Sequence, residues 1–107
     1  MQTALFHPRA LEAIRSFPKT ARQGIGEVIQ ELQKGSRLTM PLSRPMPAVG
    51  SGVHEIRVRD VTRIYRAFYL VKSERGIIVF HAFEKRTQKT PLREIELGRK
   101  RLREMSL

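Results

Sequence analysis

F-H-A-F-E-K-R-T-Q-K-T-P, residues 80–91, changes character half-way along. Its first half, with Phe80, Ala82 and Phe83, is apolar enough for a buried strand. Its second half carries Lys85, Arg86 and Lys89 without an equal number of acids beside them, so it belongs at the surface. Thr90-Pro91 then reads as a helix cap followed by a first-turn proline. The stretch predicts a rigid buried strand that delivers a fixed cluster of positive charge just before a helix. A cluster of that kind suits a polyanion, RNA foremost.

Two further strands precede it. Residues 53–59 alternate, with Ile56 and Val58 on one side and Glu55, Arg57 and Arg59 on the other. After a turn at Asp60-Val61, residues 62–72 are rich in aromatic and β-branched side chains. A hairpin turn at 73–76 leads into the third strand, 77–83. After the cap, Leu92, Ile95, Leu102 and Met105 form one stripe of a last helix that ends near Met105.

The N-terminal half reads as helical. His7-Pro8 opens a first helix with Leu11, Ile14 and Phe17 on one face, and Pro18 interrupts it. A second helix spans 18–34, with Ala21, Ile25, Val28, Ile29 and Leu32 on one stripe and Gly35 at its end. Gly24 and Gly26 weaken this helix and permit close packing. Residues 3–6 are either an edge strand or a packed terminus. Residues 36–52, with Pro41, Pro45 and Pro47, form a long loop: a functional segment or a plain crossover. The expected fold is α+β in one domain of 107 residues. An N-terminal helical hairpin packs on a small antiparallel sheet, a three-stranded meander with 3–6 as its optional fourth strand, and a C-terminal helix follows.

Lys and Arg number 21 against 10 Asp and Glu, a net charge of +11 that draws the chain towards phosphate or an acidic protein. Cysteine is absent, which excludes disulfides and thiolate chemistry. His7, His54 and His81 show no metal-ligand spacing, and Asp60, Glu74 and Glu84 form no acidic cluster, so no metal or cofactor is expected. No apolar run approaches the roughly 20 residues that span a bilayer, and no apolar signal core opens the chain. A soluble cytoplasmic protein is expected, with no membrane partner.

The cations cluster on the sheet. Arg57 and Arg59 share a strand face, Arg63 and Arg66 alternate on the next strand, and Lys85, Arg86 and Lys89 follow the third. A solvated basic face explains any one of them. The set points to a surface that the helices, packed on the other side, leave open.

The order of elements resembles the RelE/ParE superfamily of toxin–antitoxin toxins. G-S-G-V-H-E-I-R-V-R at 50–59, Y-R-A-F-Y at 65–69, the stretch at 80–91 and R-E-I-E-L at 93–97 are similar to its phage-derived, HigB-like branch. The resemblance implies a ribosome-dependent mRNA endonuclease held inactive by a cognate antitoxin, expected to be of helix-turn-helix type. It implies partners in the ribosome and mRNA, and metal-free cleavage by the RNA's own 2′-hydroxyl. The basic residues of the family's sheet match Arg57, Arg66, Lys85 and Arg86. Glu55 stands where a RelE-type lysine is expected, and the tyrosine of RelE's last helix has no counterpart.

Attack of the 2′-oxygen builds negative charge on the phosphate, which suits the guanidinium groups of Arg57 and Arg66, with Arg86 as helper. Lys85, beside Arg86 and Lys89, is a candidate proton carrier because neighbouring cations favour its neutral form. His54 is the alternative, at the start of a strand. Arg59, Arg63, Lys89 and Glu55 complete the RNA-binding set, Glu55 as an orienter of Arg57. His81, Tyr65 and Tyr69 are expected in the core, and Phe68 and Phe83 either in the core or stacked on bases. A gyrase-binding toxin of ParE type and a basic binding module without chemistry are the competing readings.

Overall fold

The computed structural model describes residues 1–38, 42–61, 63–72, 74–86 and 89–105. The expected strand start at Thr62, the turn residue Ser73, and Pro41 of the proline-rich loop lie outside them.

The helical hairpin forms as its periodicity dictates. Helix α1 is Pro8–Ser16, capped by His7, whose Nδ1 accepts a hydrogen bond from the Arg9 amide. Phe17 turns the chain into an extended conformation before Pro18, and α2 runs Lys19–Gln33. Gly35, with φ 93°, ends it in the left-handed region that glycine enters without strain. The α2 stripe of Ala21, Ile25, Val28, Ile29 and Leu32 is buried throughout.

The strands are β1 (Ala4–Phe6), β2 (Ser43–Pro45), β3 (His54–Arg59), β4 (Ile64–Lys72) and β5 (Gly76–Lys85), in the spatial order β1-β5-β4-β3-β2. Two features correct the sequence expectation. Residues 4–6 are a strand, and β1 runs parallel to β5, so the sheet is mixed rather than antiparallel. The proline-rich loop also contributes an edge strand, with Ser43, Arg44 and Pro45 paired to Ile56, Glu55 and His54. Prolines hid it, since they read as loop; Pro45 is tolerated because β2 lies at the sheet's edge. Gly76 opens β5 with φ 92°, and a Cβ there would strike the carbonyl of Thr3, the residue before β1.

Two cores sandwich the sheet. One face packs on α1 and α2 through Ile56, Tyr65, Ala67, Tyr69, Ile77, Val79 and Ala82. Gly24 lets α2 sit against Val58, which a Cβ would meet at 2.8 Å. The opposite face carries Phe68, Ile78, Phe80 and Phe83, packed on Met46, Val49, Ile95 and Leu102. Phe68 and Phe83, which the sequence reading placed either in the core or against bases, are therefore core residues.

The last helix, α3 (Leu92–Glu104), makes a third correction. It covers part of the face that carries the arginines, so the helices do not leave that face open. Leu92 is 65% exposed and lies off the buried stripe, while Gly98 is buried because Phe68 presses against it. Pro91 is the helix's N-cap residue, and the Thr90 hydroxyl is used elsewhere. No helix among the described residues is long and apolar enough to cross a membrane.

Candidate nucleic-acid interface

Register places three cross-strand rows on the α3 side of β3, β4 and β5: Arg59, Ile64 and Lys85; Arg57, Arg66 and Phe83; Glu55, Phe68 and His81. Directly opposed side chains stand about 4.5–5.5 Å apart at Cβ. Arg57 and Arg66 are therefore like charges held face to face.

Glu55 makes that arrangement tolerable. Its carboxylate is wholly buried and accepts a hydrogen bond from Arg57 Nε at 2.6 Å through Oε1. Oε2 lies 3.7 Å from Arg66 Nη1, too far for a hydrogen bond. Thr90 fills the gap. Its Oγ1 accepts from Arg66 Nη1 at 2.8 Å and donates to Glu55 Oε2 at 2.9 Å. A hydroxyl has a single proton, so the direction of this relay is fixed.

Burial separates the two arginines. The Arg66 side chain is 0% exposed, with its guanidinium carbon 5.9 Å from the centre of the Phe83 ring, whereas Arg57 keeps 9% of its side chain in solvent. Burial pulls the Arg66 guanidinium below its usual range, and the Glu55 charge opposes that shift. Arg66, expected as a direct phosphate ligand, is here an internal cation, and Glu55 is an internal counter-ion rather than a surface contact.

The neighbouring row adds exposed Arg59 and half-buried Lys85, and exposed Lys89 lies beside Thr90, while Arg86 is exposed past the end of β5. Arg44, Met46, Lys89, Thr90 and Ile95 line an open cleft of about 350 Å³ with an apolar floor between two cations. Thr90 is thus shared between the cleft wall and the buried relay.

Two expected site residues lie elsewhere. His54 alternates onto the helical-hairpin side, where it stacks on Tyr69 at 5.7 Å with Nδ1 3.2 Å from the Gly52 carbonyl. Arg63 also sits on that side, at the tip of the β3–β4 hairpin, paired with Glu84 at 3.2 Å. Neither is brought to the arginine pair. Arg44 and Thr90 are the residues that sequence reasoning passed over. Arg44 was hidden in a stretch read as loop, and Thr90 in a cap motif that the helix does not use.

His81 is the core residue the sequence suggests. Arg101 donates to its Nδ1 at 2.7 Å, so Nε2 carries the proton and donates to Glu94 at 2.8 Å. Burial pushes its pKa down, and the Arg101 charge adds to this against the pull of Glu94. His81 thus fastens α3 to β5 at two points seven residues apart. His7, the N-cap of α1, ties the far end of α3 at one point, donating from Nε2 to Glu104 at 2.8 Å. Among the described residues, no three His, Asp or Glu side chains gather as a metal ion requires.

A family model described as phage derived protein Gp49-like (DUF891) matches residues 12–103. The isolated E. coli RelE toxin is similar in structure, with a TM-score of 0.59 at 21% identity over 94% of this chain and 99% of that one. At that identity the likeness speaks for the fold. No curated protein matches the chain in sequence.

Proposed function

Because the chain belongs to the phage-derived Gp49-like family and has the fold of the RelE toxin, we propose that it is the toxin of a toxin–antitoxin pair and cleaves mRNA on the ribosome. The observation that carries this reading is Arg57, nearly buried, oriented by a buried carboxylate, with Arg59 and Lys85 in the next row and Arg44 and Lys89 at the adjoining cleft. A face that only binds a protein has no need of a guanidinium fixed this tightly.

In the proposed reaction the 2′-oxygen of the RNA attacks the adjacent phosphorus and the 5′-oxygen leaves. The products are a 2′,3′-cyclic phosphate and a 5′-hydroxyl, with one proton removed and one returned. Arg57 meets the charge that grows on the non-bridging oxygens, where a preorganised donor is most effective. Arg86 and the rim cations hold the flanking phosphates. Lys85, opposite Ile64 on the same face, is the candidate to carry the proton. Arg66 contributes from beneath, as the buried charge that Glu55 balances. An acidic segment of a cognate antitoxin is the partner that suits this rim.

The test is a purified translation system programmed with a defined mRNA, run beside a gyrase supercoiling assay. Cuts within codons that depend on ribosomes, with gyrase unaffected, support the nuclease. Intact mRNA with inhibited gyrase rejects it in favour of the ParE-type reading.

A further inference from the structure

We propose that Thr90 is a positioning residue for Arg57, acting through Glu55; the proposal rests on the nuclease reading. Four side chains form one continuous chain that converges on the Glu55 carboxylate. Arg66 Nη1 donates to Thr90 Oγ1, Thr90 donates to Glu55 Oε2, and Glu55 Oε1 accepts from Arg57 Nε. Each link has the length of a good hydrogen bond, and the two middle members are buried.

The carboxylate is the hinge of the arrangement. Glu55 sits two residues from Arg57 on the same face of β3, so it reaches Arg57 Nε with one oxygen. Held by that oxygen alone, the carboxyl group rotates about its last bond, and the guanidinium turns with it. Thr90 pins the other oxygen. The opposing Arg66 would otherwise compete for the same carboxylate, since its Nη1 lies 3.7 Å from Oε2. With its donor satisfied by Thr90, Arg66 stays back and Arg57 keeps its partner.

Thr90 also directly precedes Pro91, the N-cap residue of α3. The seat of α3 on Phe68 and His81 therefore sets where this hydroxyl stands. Arg57 is held on β3 by contacts on α3's own leader, a coupling that neither element contains alone.

Thr90→Val keeps the shape and removes the hydroxyl, whereas Thr90→Ser keeps the hydroxyl and removes the methyl. In single-turnover cleavage on programmed ribosomes, valine is expected to lower the maximal rate about tenfold or more, the scale of one lost buried hydrogen bond. The half-saturating protein concentration stays unchanged and serine restores the rate. Exchange of the Arg57 Nε proton, followed by NMR, is expected to quicken in the valine variant alone. A valine variant that cuts at the wild-type rate, a serine variant as impaired as valine, or a loss confined to binding overturns the proposal while the nuclease reading stands. Should valine impair folding, Thr90→Ala replaces it in the same comparison. Wild-type protein that cuts no RNA overturns both.

Discussion

Arg57 and Arg66 oppose each other across β3 and β4, and one buried carboxylate, Glu55, serves both. Two cations and one anion leave a net positive charge just under a basic cleft. The Glu55 carboxylate is the anion that lies between the two guanidinium groups. Replacing it with glutamine leaves two buried guanidinium groups in mutual repulsion. Breaking a buried pair in this way costs about 3–5 kcal/mol, a large part of the roughly 5–15 kcal/mol that holds such a domain together. Urea unfolding of Glu55→Gln should show the loss as a lower midpoint.

Close approach of α3 to the sheet depends on Gly98. A Cβ there would stand 2.7 Å from the Phe68 ring, which is itself fully buried and has no room to retreat. Gly98→Ala is therefore expected to destabilise by about 1–3 kcal/mol through overpacking, more than the roughly 1 kcal/mol that alanine gains in helix propensity. Gly26→Ala is the control. Nothing lies within 4 Å of its added Cβ, so propensity wins and stability rises. Thermal unfolding of the two variants should shift in opposite directions.

His81 makes stability depend on pH. Its folded pKa lies below the unfolded value, which is about 6.5. As pH falls through that value the unfolded chain takes up a proton that the folded chain refuses. His81 therefore stabilises the fold above about pH 6.5, and its contribution is lost between there and the lower folded pKa. Its ring faces Glu94 and Arg101 of α3, with His7 at the start of α1 adding a repulsive charge. Urea unfolding between pH 5 and 8 should show stability rising with pH in wild type, and a flatter profile in His81→Gln.

RNA affinity should fall steeply with salt, since each phosphate contact releases counter-ions. Arg86→Ala and Lys89→Ala are each expected to reduce the logarithmic salt slope by about 0.7, the single-strand value for one contact. Filter binding across a salt series checks this. His54→Ala, on the far face, should leave the slope unchanged.

The helical stripes, the meander and the burial of Tyr65, Tyr69 and His81 were legible because periodicity and composition agree there. Parallel pairing of β1 was not, because three residues carry no sign of direction. Strand β2 was masked by its prolines. Side-chain alternation correctly put Arg57 with Arg59 and apart from Ile56, and the same rule applied to His54 places it off the site. What alternation leaves out is which face a helix will cover. Arg66 looked like a surface ligand because the residues packed around it, Glu55, Phe83 and Thr90, are distant from it in the sequence. Thr90 looked like a cap because sequence shows its neighbour Pro91 and not its distant partners, Glu55 and Arg66.

The most direct test is the rate of codon-internal mRNA cleavage by Arg57→Ala against wild type, with product ends identified. The account predicts cyclic phosphate ends from wild type and a fall of about 100-fold or more in the variant, the scale of one lost transition-state donor. Wild-type rates in Arg57→Ala would contradict it, because the charge that the whole network holds in place would then have no part in the reaction.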